Sequence, residues 1–231
     1  MNRNRLILVA AAVGAAAIVA VVLILVAGKG STASPTTTAT TSAGVASGSL
    51  QGIPQRGNTL GKASAPVTLI VYEDPQCPFC RSWNASTLPW VISEFVRPGK
   101  IKIEYRGVVI IGPDSVRGLR AIYAAGKQNK LWNLSDALYA RQGAENSGWI
   151  TNAVILAAAR DVGANGQEIL KQMGSSAVGS ELTKAQAQAT ADQLQGTPSF
   201  IVQRPPALPQ PLAVTALDPS TFDAALSAAI Q

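Results

Sequence analysis

The stretch EDPQCPFCRSW, residues 73–83, holds both cysteines of the 231-residue chain, Cys77 and Cys80, with Pro78 and Phe79 between them. A metal knuckle, a structural staple and a redox couple all start from such a pair. A closed zinc site needs four ligands, and this chain has no histidine and no third cysteine. Metal would have to recruit carboxylates or a second chain, and copper or haem would lose its usual imidazole ligand. The absent histidine also excludes Ser-His-Asp and Cys-His hydrolases, whose general base is an imidazole. Chemistry is left to sulfur and carboxylate.

Working outward, Val67–Glu73 (VTLIVYE) is β-branched and aromatic, and apolar on both alternating faces except at Thr68 and Glu73. That predicts a buried central strand. Asp74-Pro75-Gln76 makes a turn, and a helix is expected from about Pro78 to Phe95, interrupted or kinked at Pro89. IKIEYRGVVII, residues 101–111, reads as a second strand, and strand-helix-strand predicts a parallel βαβ unit.

This placement puts Cys77 at a helix N-terminus, where unpaired N–H groups and the helix dipole favour a thiolate with a pKa drawn from about 8.5 toward 7 or below. Cys80, one turn on, is positioned to attack a mixed disulfide and release its partner. Pro78 suits a first turn, which leaves its missing N–H unbonded in any case. As a staple, so short a loop removes little unfolded-state entropy, and a domain of about 170 residues buries enough core without it. The redox couple is the favoured reading, with the plain structural disulfide as its alternative.

From about Asp114 to Gln195 the pattern is helical and Ala-rich, enough for four or five helices. SFIVQ, residues 199–203, returns to strand, and LAVTAL, residues 212–217, reads as another short strand. Pro205, Pro206, Pro209 and Pro211 fit a hairpin loop between them better than a polyproline ligand. Asp218 and Pro219 supply an N-cap and first turn for a closing helix with Phe222, Leu226 and Ile230 on one face.

The amino-terminal quarter differs. Arg3 and Arg5 precede an uncharged apolar run over residues 6–27, which as a helix would extend about 33 Å, enough to span a bilayer. The run is longer than a signal-peptide core, and LVAG is a mediocre cleavage site, so an uncleaved signal anchor is favoured over a cleaved peptide. Basic residues at the start leave a cytoplasmic stub at 1–5. A flexible Ser/Thr/Gly/Ala-rich tether over 28–58 and a folded domain over 59–231 then lie outside the cytoplasm, held at the cell membrane by a single pass.

The formal net charge is +6, of which Arg3, Arg5 and Lys29 carry half. Eight basic residues between Arg97 and Lys130, against Glu104 and Asp114, hold the remaining asymmetry. A solvated face is the simpler account, and a surface for anionic lipid or an acidic partner is the other. Export argues against nucleic acid.

Taken together, EDPQCPFC, the βαβ unit, the helical block and GTPSF at 196–200 resemble the DsbA-like branch of the thioredoxin superfamily. The resemblance implies an α/β thioredoxin fold with a helical domain inserted at about 113–195, between the βαβ unit and a cis-proline ββα unit. It maps Cys77 to the nucleophile, Cys80 to the resolving cysteine and Pro198 to the cis-proline, with Thr197 beside the nucleophile offering its backbone to an extended substrate. It further implies thiol:disulfide exchange with cysteines of exported proteins, no bound cofactor, and regeneration by a membrane reoxidase of the DsbB or vitamin K epoxide reductase type. Reductase or isomerase action through the same couple is the nearest alternative, and a tethered binding module with a merely structural disulfide is the more distant one. Two departures stand out. Phe79 occupies a thiolate-tuning position where relatives often carry histidine, and Val71 stands where thioredoxins keep a buried acid. Glu73 and Asp74 are the candidates to move the Cys80 proton in its place, with a strand-end or capping role as the alternative for each.

Overall fold

The computed structural model describes residues 48–231. The expected stub, apolar span and most of the tether lie outside these residues, and among those described no helix is long and apolar enough to cross a membrane. Folding starts before the expected boundary at residue 59. Leu50 and Ile53 are buried in the main core, and β1 (Gln55–Arg56) pairs antiparallel with β2 (Thr59–Leu60). The tether reading is therefore corrected over residues 48–58, where polar composition concealed two apolar anchors.

Every residue of β3 (Val67–Glu73) is buried. It runs parallel to β4 (Ile101–Gly107), Val67 opposite Ile101 and Glu73 opposite Gly107. The sheet order is β1-β2-β4-β3-β5-β6, with β5 (Ser199–Gln203) antiparallel to β3 and β6 (Gln210–Pro211) at the edge. Two strand readings need correction. β4 stops at Gly107 rather than Ile111, because the Ile110 and Ile111 N–H groups turn to the Asp74 carboxylate at 2.8 and 2.9 Å. The last strand is Gln210–Pro211 rather than residues 212–217. Val202 faces Gln210 and Ile201 faces Pro211, so after Leu212 N donates to Phe200 O the partner strand is used up. Pro211 is tolerated because it lies on an edge.

After β3 the helical run is composite. α1 (Pro78–Ser82) passes into a π-helical turn (Trp83–Thr87), then α2 (Leu88–Val91) and a second π-helical turn (Ile92–Val96). Leu88 N reaches back to Trp83 O, five residues away, so the wider turn absorbs the donor missing at Pro89 where a kink was expected. Trp83 packs on Phe200 and Phe222 at ring-centroid distances of 4.8 and 4.6 Å. Phe222 belongs to α8 (Pro219–Ala229), capped by Asp218 accepting from Thr221 N.

Between β4 and β5 lie α3 (Pro113–Gly126), α4 (Leu131–Tyr139), α5 (Asn152–Asp161), α6 (Gly166–Gln172) and α7 (Ser176–Ala191). Thr151, Asn165 and Ser175 cap the last three through side-chain oxygens. The architecture is a thioredoxin fold with a helical insertion. Ala189 of α7 joins Ile70, Tyr72, Val108 and Ile201 over the second face of the sheet, which is why β3 is buried on both sides. At the end of α7 the Tyr72 hydroxyl donates to Asp192 at 2.6 Å, while Arg106 donates to the Tyr72 oxygen and to Glu104. Much of the basic run between Arg97 and Lys130 serves the fold. Arg97, Lys102, Arg117 and Arg120 donate to the carbonyls of Ser49, Ala65, Ile150 and Met173.

Candidate active site

β3 delivers its last residue, Glu73, into the interior, and the chain then turns through Asp74-Pro75-Gln76. Asp74 makes that turn rigid. Its Oδ1 accepts from Gln76 N and Ser115 Oγ, and its Oδ2 accepts from Ile110 N and Ile111 N. With four donors on one carboxylate, Asp74 is the capping acid of the two candidates. Cys77 follows as the N-cap of α1, with extended backbone and its sulfur accepting from Cys80 N at 3.4 Å, and Pro78 opens the helix.

Cys77 Sγ also lies 3.2 Å from the carbonyl oxygen of Thr197, to which its thiol donates. The Thr197–Pro198 peptide is cis. The Cys77 pKa falls to about 6, chiefly because the Cys80 thiol donates to its sulfur; burial opposes this, while the Thr197 side chain and the Cys80 and Phe79 backbone N–H groups add to it. Burial pushes Cys80 the other way, and a charged Cys77 or Glu73 nearby adds to the rise. The two sulfurs are thus split, one easily ionised and one held as a thiol. Phe79 is 66% exposed, and it acts on the Cys77 sulfur through its backbone N–H.

Glu73 is fully buried, which removes the solvated strand-end alternative. Its Oε1 accepts from Asn84 Nδ2 at 2.7 Å, and its Oε2 from the Tyr139 hydroxyl at 3.3 Å. Burial lifts its pKa to about 8, against the pull of the Asn84 and Tyr139 hydrogen bonds. Asn84 Nδ2 also donates to Cys80 O at 2.9 Å, tying the acid to the helix that carries the second cysteine.

Several residues here carried no mark in the sequence. Tyr139, at the end of α4, packs on both cysteines with Ile111. Gln142 donates to the carbonyls of Pro75 and Cys77 at 3.0 and 3.1 Å. Gln76 donates to Ser115 Oγ and accepts from Asn146 N. Gly118 lets α3 close on the same loop, since a Cβ there would meet Pro75 Cγ at 2.8 Å. Only Asn84 had a local signal, one turn after Cys80 on the same helix.

Among the described residues no cluster of His, Cys, Asp or Glu could hold a metal ion, and both cysteines are free thiols. What the arrangement offers is a dithiol with one low and one high pKa, a buried acid, and the Thr197 backbone beside the low-pKa sulfur.

The family described as Thioredoxin matches residues 55–205. A "Probable disulfide bond formation protein D" from Bacillus cereus is 30% identical over 148 residues, covering 62% of this chain and 68% of its own length. The structure of oxidised BdbD from Bacillus subtilis superposes with a TM-score of 0.65 at 19% identity, over 77% of this chain and 97% of that one. A thioredoxin-like oxidoreductase from Silicibacter pomeroyi superposes with a TM-score of 0.57 at 27% identity, over 78% of this chain and 95% of the other.

Proposed function

The chain belongs to the thioredoxin family and is a thiol:disulfide oxidoreductase, and from that premise we propose that it acts outside the cytoplasm, tethered to the membrane, as an oxidant passing a Cys77–Cys80 disulfide to cysteines of exported proteins. The observation that carries the direction is the Cys77 sulfur at the N-cap of α1 beside Thr197, with its pKa lowered to about 6. A folded site that stabilises the thiolate stabilises the reduced form, and so makes the disulfide a stronger oxidant.

In the first step a substrate thiolate attacks Cys77 Sγ. The Cys77–Cys80 bond breaks, the electron pair goes to the Cys80 sulfur, and Glu73 supplies the proton that Cys80, buried and high in pKa, needs. A second substrate thiolate then attacks the substrate sulfur of the mixed disulfide, and Cys77 leaves as a thiolate, a good leaving group because its pKa is low. The substrate ends with a disulfide and the protein with two more electrons. The Thr197 carbonyl, no longer accepting from a Cys77 thiol in the disulfide form, is free to pair with the backbone of an extended substrate beside cis-Pro198. Return to the disulfide requires an electron acceptor, for which a membrane reoxidase of the DsbB or vitamin K epoxide reductase type is proposed. The apolar run at 6–27 serves as the anchor.

Phe79, lacking the charge of a histidine, favours the second reading, a reductase or isomerase. Equilibration of the full-length protein with glutathione decides between them. A potential less negative than about −200 mV supports the oxidant, and one at or below thioredoxin's about −270 mV rejects it. Location is tested by adding protease to cells stripped of their outer layers. Cutting within residues 28–47 should release an active domain, whereas protection of that segment would defeat the tethered, extracytoplasmic placement.

A further inference from the structure

Tyr139 reaches the redox site from the helical insertion. Its buried ring packs with Cys77, Cys80 and Ile111, and its hydroxyl has two neighbours, Glu73 Oε2 at 3.3 Å and the carbonyl oxygen of Asp74 at 3.1 Å. A phenol has one proton to give, and burial keeps this one un-ionised. The two neighbours differ in kind. A backbone carbonyl only accepts, whereas a carboxyl group accepts when charged and donates when protonated.

We infer that Tyr139 is a positioning residue for proton transfer between Glu73 and Cys80, its hydroxyl rotating between two acceptors so that buried Glu73 is hydrogen-bonded in both charge states. The inference rests on the reading of Glu73 as the proton carrier. With Glu73 charged, Tyr139 donates to Oε2 and Asn84 donates to Oε1. With Glu73 protonated, Oε2–H donates to the Tyr139 oxygen, and the tyrosine proton swings to the Asp74 carbonyl. Neither state leaves a Glu73 carboxyl oxygen or the Tyr139 hydroxyl without a partner, a burden that otherwise makes a buried acid costly to cycle. Asn84 cannot follow the change, because its NH2 group offers only donors to Glu73 Oε1 and Cys80 O. The other titratable groups coupled to this acid are Cys77 at the N-cap of α1, Cys80 within it and Tyr105 from β4, while Asp74 acts on Tyr139. Each is neutral or negative, so hydrogen bonds are what steady the charge.

The step balances. As the Cys77–Cys80 bond breaks under attack by a substrate thiolate, Cys80 gains the electron pair, takes the Glu73 proton and becomes a thiol. Glu73 becomes a carboxylate, and Tyr139 turns from Asp74 to meet it. Reoxidation reverses the transfer.

Tyr139→Phe keeps the ring and removes the rotor. The charged form loses the stronger bond, so in the full-length oxidised protein the carbon-13 carboxyl titration of Glu73 should move up by about one unit, leaving roughly tenfold less carboxylate at neutral pH. The infrared carbonyl band of protonated Glu73, assigned by its loss in Glu73→Gln, should shift to higher frequency. Single-turnover oxidation of a two-cysteine peptide should slow severalfold, with a changed pH profile. An unmoved Glu73 titration and band, with oxidation slowed equally at every pH, would overturn the inference and leave Tyr139 as packing. If Glu73→Gln itself leaves the pH profile unaltered, the proton-carrier reading falls, and this inference falls with it. That outcome is distinct from failure of Tyr139 alone.

Discussion

The carbonyl oxygen of Thr197 accepts from Cys77 Sγ at 3.2 Å across 120 residues of chain. Cys77 stands where the first βα turn opens its helix, and Thr197 stands where the helical insertion hands back to the sheet. Pairing of β5 with β3, Tyr72 opposite Ser199, brings these two ends together. The Cys77 sulfur and the Thr197 backbone beside it are therefore set by one strand pairing rather than by a loop.

Thr197→Val keeps that carbonyl and removes the side chain that helps hold the thiolate. The Cys77 pKa should rise from about 6 by less than a unit, and the disulfide should become a weaker oxidant. Titration of the thiolate ultraviolet absorbance and equilibration with glutathione check both. An unchanged titration would leave the Cys80 thiol and the helix N–H groups as the whole cause.

Cys80→Ala should accumulate mixed disulfides with exported proteins, and Cys77→Ala should trap almost none, as seen on non-reducing gels. A second effect follows from the hydrogen bonding. Because the Cys80 thiol is the foremost cause of the low Cys77 pKa, the Cys77 titration in Cys80→Ala should move up toward the ordinary thiol range. Equal trapping by both variants would reverse or dissolve the division of roles.

Phe79→His introduces the imidazole that relatives often carry. The Phe79 ring is exposed, so the new charge would be well screened, and the Cys77 pKa should fall by less than about one unit, most clearly below neutral pH where imidazole is charged. A fall of two units or more would mean that the ring turns inward over the thiolate.

The elements that set the Cys77–Cys80 pair were legible because their signals are local. VTLIVYE is apolar on both faces, and Cys77-Pro78 sits where a helix must begin. GTPSF was legible only alongside the cysteines, through resemblance. What escaped was of two kinds. Leu50 and Ile53 are single apolar residues in polar sequence, without a period to mark them, yet each packs on the core. Tyr139, Gln142 and Ser115 meet the Cys77 loop from 39 to 67 residues away, and their local sequence gives no reason to single them out. Glu73 and Asp74 were visible as a pair, but only burial and hydrogen-bond partners assign the capping role to Asp74.

Glu73 gives the last prediction, in stability rather than rate. Its folded-state pKa is raised from 4.5 to about 8, burial being the main cause. Between those values the folded protein holds a proton that the unfolded chain has lost. The stability contributed by this group is therefore complete below the unfolded pKa and is lost as pH rises through about 8. Cys77 runs oppositely in the reduced protein, since its pKa is lowered, and its contribution grows as pH rises from about 6 toward its ordinary 9. In the disulfide form Cys77 does not titrate, so the Glu73 slope stands unopposed there. Denaturant unfolding of the oxidised protein, with the disulfide retained, should show stability falling as pH rises from about 5 toward an upper limit below about 8, since the Cys77 charge that helps raise the Glu73 pKa is absent there, by at most about 1.4 kcal/mol per pH unit. Glu73→Gln should flatten that slope and make the variant more stable than the parent at the upper end of the range. A slope unchanged by the substitution would mean that another group holds the proton.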